Sequence, residues 1–148
     1  MEDQSYPRVK KFFFLFIFIL SFSKANSENF KFVKIANLNN PWGSSFLNND
    51  EMIITEKSGL IKIVNIINNQ VNDVEHNLNF LEDGQGGLLD ILHIDNKVWI
   101  SYTENRGNRK TSTSIALANL DKKNLVFKNI FQANPPIDSG YHFGSRLA

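Results

Sequence analysis

The sequence predicts an all-β fold made of short strands. After Ala25, short apolar runs recur about every ten residues with turn residues between them, which is the spacing of a β-meander. No helix-period pattern longer than one turn stands out in that part of the sequence. The chain has 148 residues, 42% of them hydrophobic, and therefore corresponds to one ordinary soluble domain or to part of one.

Three strands are expected in the first half of the chain, at residues 42–47, 52–56 and 60–66. Each of them ends at a turn rich in Asn, Asp, Ser or Gly. The second and third carry apolar side chains on both faces, and a sheet of such strands is covered on both sides. The residues concerned are Met52, Ile53 and Ile54, then Ile61, Ile63 and Val64.

Four further strands are expected after the glycine-rich segment 84–87. They lie at residues 88–94, 97–103, 111–120 and 125–131. Within the third of these, small side chains at 112–118 occupy one face and larger ones the other. Such a strand suits close stacking of one sheet on another.

A weak internal repeat indicates how the strands are grouped. Expected strands start at or just after Gly43, Gly87 and Gly144, which are 44 and 57 residues apart. Units of about 40 to 50 residues with four strands each are the size of β-propeller blades, and a propeller closes with roughly 4 to 8 of them. The sequence therefore predicts the first two blades and the start of the third. We expect such a piece, by itself, not to form a stable monomer.

Residues 1–25 have the pattern of a secretory signal. Arg8, Lys10 and Lys11 precede the apolar run 12–20, and the small residues Ser23 and Ala25 stand three and one before a possible cleavage point. The run is shorter than the roughly 20 residues of a membrane span. We expect a cleaved signal over residues 1–25, a mature chain over 26–148, and a periplasmic or secreted location. The alternatives are an uncleaved helix that contacts the membrane through residues 8–22 and, least favoured, a buried core helix.

Composition and spacing exclude several classes of function. The net charge is +1 and the basic residues are scattered, so no surface for nucleic acid is predicted. The absence of cysteine excludes disulfides and thiolate metal sites. Asp83 and Asp90 lack the alternating oxygen ligands of a calcium loop, and no metal site is assigned to them.

His142 is the strongest candidate for chemistry. It lies between Tyr141 and Phe143, where a flexible segment leads into an expected strand. An imidazole titrates near neutrality and can accept a proton. The alternative is a loop histidine bonded to a backbone carbonyl. His76 and His93 are weaker candidates, one in a polar stretch and one near a strand end.

Gln85 and Arg146 are candidate substrate-binding residues. Gly84-Gln85-Gly86-Gly87 is neither a phosphate loop nor a dinucleotide fingerprint, because no Gly-Lys-Ser/Thr and no helix follows it. Its glycines would let the backbone bring the Gln85 amide to a ligand, the alternative being a plain turn. Arg146 either orients a substrate or holds a carboxylate between blades, and Trp42 is expected to pack between blades.

Three segments carry a more specific signal. They are Asn40-Pro41-Trp42-Gly43 with Ile54-Thr55-Glu56-Lys57-Ser58-Gly59, then Gly84-Gln85-Gly86-Gly87-Leu88-Leu89-Asp90, and then His142-Phe143-Gly144-Ser145-Arg146-Leu147. In this order and spacing they resemble the soluble quinoprotein glucose/sorbosone dehydrogenases, also called aldose sugar dehydrogenases. The resemblance runs from about Val33 to Ala148.

The resemblance implies a six-bladed β-propeller that binds pyrroloquinoline quinone and Ca²⁺ and oxidises the anomeric carbon of an aldose to a lactone. By that analogy His142 is the general base, Gln85 hydrogen-bonds the sugar, and an electron acceptor is a further partner. The family's quinone and calcium ligands correspond to positions beyond Ala148, so the cofactor-binding residues are unknown. The glucose-oxidising branch has an acidic residue before the histidine, where this chain has Tyr141. That difference argues against glucose as the substrate.

Two other functions stay open, because a fold does not fix a function. The protein is alternatively a non-catalytic secreted β-propeller that serves as a binding module, or an inactive truncated remnant. Basic residues that converge on a quinone would favour the enzyme, and their absence would favour the binding module. For this chain by itself we expect no activity.

Overall fold

The computed structural model describes residues 30–148, and the expected signal or hydrophobic helix over residues 1–25 lies outside them. Within 30–148 all regular structure is β-sheet, and no helix there is long and apolar enough to cross a membrane. Nine strands follow one another: β1 (Pro41–Phe46), β2 (Glu51–Glu56), β3 (Leu60–Asn65), β4 (Val71–His76), β5 (Leu88–Ile94), β6 (Lys97–Asn105), β7 (Thr111–Asn119), β8 (Asn124–Leu125) and β9 (Lys128–Gln132).

The strands form two sheets. The first has the order β1-β2-β3-β4-β8 and the second the order β5-β6-β7-β9. All pairings are antiparallel except that of β4 with β8, which is parallel. We call β1–β4 the first blade, and β5–β7 with β9 the second blade. Each is a four-stranded meander, as the repeat in the sequence predicts.

The expected strand positions are mostly correct. The bounds of β5 are those predicted, β6 continues two residues further to Asn105, and β7 ends one residue earlier at Asn119. The fourth strand, β4, was not expected at all. The strand β4 lies at the outer side of β3, and Val74 is its only buried residue. Its other residues are exposed or half-buried, so β4 lacks the apolar alternation by which a strand is predicted.

The strand expected at 125–131 is in fact two short strands on different blades. Asn124 and Leu125 pair with β4 of the first blade, and Lys128–Gln132 pairs with β7 of the second. The chain therefore leaves the second blade, reaches the edge of the first, and returns. Leu125 is fully buried by this excursion.

The side chain of Asn77 fixes this connection. Its Oδ1 accepts the N–H of Phe127 at 2.7 Å, and its Nδ2 donates to the carbonyl of Phe127 at 3.1 Å. The Phe127 side chain is thereby held in the core, where it is only 5% exposed. The two blades are thus joined by packing as well as by the chain.

One apolar core lies between the two blades. It contains Ile53, Ile61, Ile63 and Val74 from the first blade, Leu88, Ile91, Val98, Ile100, Tyr102, Ala116 and Ala118 from the second, and Leu125 and Phe127 from the connection. The expected burial on both faces of β2 and β3 is confirmed, since Ile53, Ile54 and Val64 are all buried. The expected small face of β7 is confirmed too, because Ser112, Ser114, Ala116 and Ala118 are the buried residues of 112–118.

Gly43 makes the close contact between the two blades, since a Cβ there would lie 2.7 Å from the Cα of Asp90 on β5. The neighbouring Trp42 is half-exposed, and its packing between blades stays a prediction. The strand expected after Gly144 is missing, since residues 141–148 have no assigned strand.

Candidate functional site

The candidate site lies where three segments meet at the start of β5. These are the glycine loop 83–87, the segment 138–142, and the turn between β2 and β3 that carries Lys57. The glycine loop leads into β5, and the segment 138–142 leads into the last residues of the chain. The turn with Lys57 belongs to the first blade. A site of this kind is built from loops on a rigid sheet.

The glycine loop fits its place only because it has no side chains at key positions. Gly84 has φ +53°, and a Cβ there would collide with the carbonyl oxygen of Gly140. Gly87 has φ +149°, and a Cβ there would collide with the carbonyl oxygen of Lys57. Both backbone angles are ones that other L-residues rarely adopt. Gly86 and Gly87 are buried, whereas Asp83, Gly84 and Gln85 are exposed, so the loop is packed only at its end next to β5.

The structure brings Gln85 and His142 together. The N–H of Gln85 donates to the carbonyl of Gly140 at 2.7 Å, and the N–H of His142 donates to Oε1 of Gln85 at 3.2 Å. Both residues are exposed, so both side chains are accessible to a ligand. His142 has φ +67°, an uncommon angle for a residue with a side chain. The histidine and the amide predicted from sequence thus share one edge of the fold.

Arg146 lies on the same segment but makes a different contact. Its Nε is 3.9 Å from Oδ2 of Asp90, and its side chain is 86% exposed. Asp90 is buried, and its Oδ2 also accepts the N–H of Leu147 at 2.8 Å. This geometry matches the alternative that Arg146 holds a carboxylate.

The last residues are fixed to the second blade in a further way. The hydroxyl of Ser101 donates to the carbonyl of Ser145 at 2.6 Å and accepts the N–H of Asp90 at 3.1 Å. Together with the Asp90 contact to Leu147, this bond ties residues 145–147 to β5 and β6 without a strand ladder. His142 is therefore followed within a few residues by a fixed anchor.

The other two histidines lie outside this cluster. His76 has both ring nitrogens engaged, since Nε2 lies 2.8 Å from the carbonyl of Gly59 and Nδ1 accepts the N–H of Leu78 at 3.2 Å. His93 lies near the end of β5, where Nδ1 is 3.2 Å from the carbonyl of Phe46. His76 thus serves the packing of the first blade, whereas His93 joins the second blade to β1 of the first.

The described residues contain no cluster of metal-ligating side chains. Within residues 30–148 no group of three or more His, Cys, Asp or Glu residues is placed to hold a metal ion. Asp90 already binds the segment 145–147, and the ammonium of Lys57 donates to the carbonyl of Gly84. We therefore assign no metal ligand among residues 30–148.

Sequence reasoning missed the residues that hold the glycine loop. Thr103 accepts the N–H of Gly87 at 3.2 Å through its hydroxyl, and its own N–H donates to the carbonyl of Gly87 at 2.9 Å. Lys57 holds Gly84 from the other blade. Nothing in the sequence distinguishes Thr103 from the other threonines in strands. Lys57 lies in the segment Ile54–Gly59 that was recognised, but no role was predicted for it.

Comparison with known proteins gives one family match and several relatives. The profile of the family described as Glucose / Sorbosone dehydrogenase matches residues 38–148. Aldose sugar dehydrogenase YliI of Escherichia coli (strain K12) is 29% identical over 119 residues, which cover 74% of this chain and 32% of the relative. The chain thus spans about a third of that relative's length.

Solved structures show the same fold. The crystal structure of the soluble aldose sugar dehydrogenase from Escherichia coli in the apo-form matches with a TM-score of 0.69 and 26% identity, over 75% of this chain and 35% of that one. The PQQ-bound aldose sugar dehydrogenase from Streptomyces coelicolor matches with a TM-score of 0.56 and 19% identity, over 70% and 33% of the two chains. The second likeness shows the fold alone. The predicted propeller fold is confirmed: the described residues form its first two blades and lead into the third.

Proposed function

Because the chain belongs to the glucose/sorbosone dehydrogenase family, we propose that the protein carrying it oxidises the anomeric C1 hydroxyl of aldoses to lactones with pyrroloquinoline quinone as cofactor. The observation that supports this most is the pairing of His142 with Gln85 at one accessible edge of the fold. Relatives named as aldose sugar dehydrogenases support the class of reaction.

His142 is the general base of the proposed reaction. Oxidation of a C1 hydroxyl to a lactone removes a proton from the oxygen and a hydride from the carbon. A histidine within reach of the hydroxyl takes the proton. The quinone, when bound, supplies the acceptor for the hydride. The N–H of His142 donates to Oε1 of Gln85, and this bond positions the backbone from which the imidazole extends.

Gln85 binds the sugar through its amide nitrogen. Its Oε1 accepts the N–H of His142, which leaves Nε2 as the group that donates to a sugar hydroxyl. A carboxylate here would still accept from His142 but would have no donor for the sugar. Arg146 is the weaker substrate contact, because it faces Asp90.

Tyr141 bears on the choice of sugar. It precedes the proposed base and is 60% exposed, where the glucose-oxidising branch has an acidic residue. A neutral phenol offers one hydroxyl and an apolar ring instead of a charged acceptor. We propose an aldose other than glucose as the preferred substrate, with the protein periplasmic or secreted and with calcium ligands outside residues 30–148.

The test uses the full-length protein that carries this chain, supplied with the quinone, Ca²⁺, an electron-accepting dye and a panel of aldoses. We expect lactone formation, and we expect His142→Ala to lower kcat by about 10²- to 10⁴-fold, the usual contribution of a general base. Quinone binding, followed by absorbance, should be unchanged in that variant. His93→Gln is the matched control and should retain activity, because His93 lies near the other end of β5 and a Gln amide can still donate to the carbonyl of Phe46.

Two results would contradict the proposal. Full turnover in the His142→Ala variant would remove the base assignment while leaving the reaction class intact. No oxidation of any aldose, together with no binding of the quinone, would reject the enzyme and favour the binding module.

A further inference from the structure

Lys57 is the residue through which the first blade reaches the glycine loop of the second. Its Nζ donates to the carbonyl of Gly84 at 2.5 Å. Its own carbonyl accepts the N–H of Leu88 at 3.2 Å. One residue of the first blade therefore contacts both ends of the loop that carries Gln85.

The peptide group between Gly84 and Gln85 is held from both sides. The ammonium of Lys57 binds its carbonyl at 2.5 Å, and the carbonyl of Gly140 accepts its N–H at 2.7 Å. A peptide group is planar, so fixing its oxygen and its N–H fixes its plane. That plane fixes the position of the Gln85 Cα, the point from which its side chain starts.

The loop needs such external contacts because its own sequence does not restrict it. Three of the four residues in 84–87 are glycines, which populate a wide range of backbone angles. The remaining ties are the bond from Gly86 N–H to the carbonyl of Asp83 and the pair of bonds to Thr103. None of these acts on the carbonyl of Gly84.

Lys57 itself starts from a rigid base. Its N–H donates to the carbonyl of Asn40 at 3.1 Å. The preceding residues are buried: Glu56 accepts the N–H of Asn39 at 2.7 Å, and the hydroxyl of Thr55 donates to the carbonyl of Leu89 on β5 at 2.5 Å. The ammonium is therefore presented from a fixed point on the first blade.

We propose that Lys57 is a positioning residue: its ammonium holds the Gly84–Gln85 peptide plane, and through Gln85 it sets the backbone of His142. The link to His142 is the bond from the His142 N–H to Oε1 of Gln85. The part of this inference that concerns sugar oxidation rests on the proposed function. The part that concerns the order of the loop does not.

The first experiment measures the loop directly by hydrogen exchange in the full-length protein. Lys57→Met, which has a similar length but no donor, should raise the exchange of the Gln85 and Gly86 amides about tenfold, the loss expected for one bond from a charged donor. Exchange in β6 and β7 should not change. Lys57→Arg should bring the loop back to within about threefold of the original rate, since a guanidinium also donates to a carbonyl.

Lys62→Met is the matched control. Lys62 lies on β3 of the same blade and pairs with Asp73 on β4 at 2.6 Å, so its removal also deletes one lysine ammonium contact. It should leave the exchange of residues 84–88 unchanged. Equal exchange in the loop of the Lys57→Met variant and the original protein would overturn the inference, whatever reaction the protein catalyses.

The second experiment is a double-mutant cycle on aldose oxidation. Lys57→Met should lower kcat/KM about tenfold, which corresponds to about 1.4 kcal/mol. In a Gln85→Ala background the same change should lower kcat/KM by less than about twofold, because the group that Lys57 positions is gone. An equal loss in both backgrounds would show that Lys57 does not act through Gln85.

The two experiments separate failure of this inference from failure of the proposed function. If the original protein oxidises no aldose, the proposed function fails and the exchange measurement alone decides the role of Lys57. If the original protein is active but loop exchange is insensitive to Lys57, the proposed function stands and the positioning role is wrong.

Discussion

Gly87→Ala should be among the most damaging small substitutions at the site, for two separable reasons. Gly87 has φ +149°, and a Cβ there would collide with the carbonyl of Lys57. A strained backbone of this kind costs about 1–3 kcal/mol. Moving the carbonyl of Lys57 away also weakens its bond with the N–H of Leu88, a loss of about 0.5–1.5 kcal/mol. We therefore expect a loss of about 2–4 kcal/mol in the free energy of unfolding.

Two other glycines separate the contributions. At Gly107 φ is +76° but no atom lies within 4 Å of an added Cβ, so Gly107→Ala measures backbone strain alone, about 1–2 kcal/mol. At Gly144 the space is also open and φ is outside the left-handed range, so Gly144→Ala should change stability by less than about 1 kcal/mol.

The assay is urea unfolding of the full-length protein followed by tryptophan fluorescence, with hydrogen exchange of residues 84–88 as a local readout. The order of destabilisation should be Gly87→Ala, then Gly107→Ala, then Gly144→Ala. If Gly87→Ala and Gly107→Ala agree to within about 0.5 kcal/mol, the close approach of Lys57 is not what requires glycine at position 87, and the reasoning about the loop is wrong.

Two further predictions concern the contacts between the blades. Asn77→Ala should lower the free energy of unfolding by about 1–3 kcal/mol, because it leaves the N–H and carbonyl of Phe127 without their partner. Asn72→Ala, at an exposed position of β4, is the control in the same urea assay. Equal losses of stability in the two variants would contradict the role of Asn77. The pKa of Glu51 is lowered mainly by its bond with Lys122 and also by Asn48. That ion pair should therefore stabilise above the ordinary carboxyl pKa and be lost as pH falls through the lowered value. Glu51→Gln should lower the free energy of unfolding by less than about 1 kcal/mol at pH 7, since the Lys122 side chain is half exposed, and should not change it near pH 2. A loss of stability that does not depend on pH would contradict this prediction.

The sequence was sufficient for the parts of the fold that repeat locally. Strands with apolar residues on both faces, such as β2, and the strand with one small face, β7, are visible because each residue's burial follows from its neighbours along the strand. The strand β4 was not visible, because an outermost strand buries only Val74. The division of 125–131 into β8 and β9 was not visible either, since it depends on pairing with a strand about fifty residues earlier.

The candidate site was predictable in its members but not in its construction. Gln85 and His142 could be named because glycine-rich and aromatic surroundings mark accessible polar groups. Their link could not be predicted, because a bond from one backbone N–H to a side chain 57 residues away has no local signature. For Lys57 the motif was recognised, yet its role depends on where the turn of one blade meets the loop of the next.

The proposed site is therefore a property of how the blades are placed. Lys57 comes from the first blade, Gln85 from the start of the second, and His142 from the segment after the second. Gln85 can be fixed against Lys57 only if the blades keep their spacing. That spacing is set beside the site, where the hydroxyl of Thr55 donates to the carbonyl of Leu89 and Gly43 lies against Asp90. It is also set farther away, by the shared core and by the Leu125 and Phe127 connection that joins the blades.

Substitutions in that connection should thus affect the site as well as the core. Leu125→Ala removes a fully buried side chain and should cost about 2–5 kcal/mol of stability. If blade spacing positions Gln85, the same variant should also raise hydrogen exchange at residues 84–88 while still folded. A variant that loses stability but keeps the loop fully protected would show that the contacts of Lys57, Thr103 and Gly140 suffice to hold the loop, and that blade spacing has no separate part in forming the site.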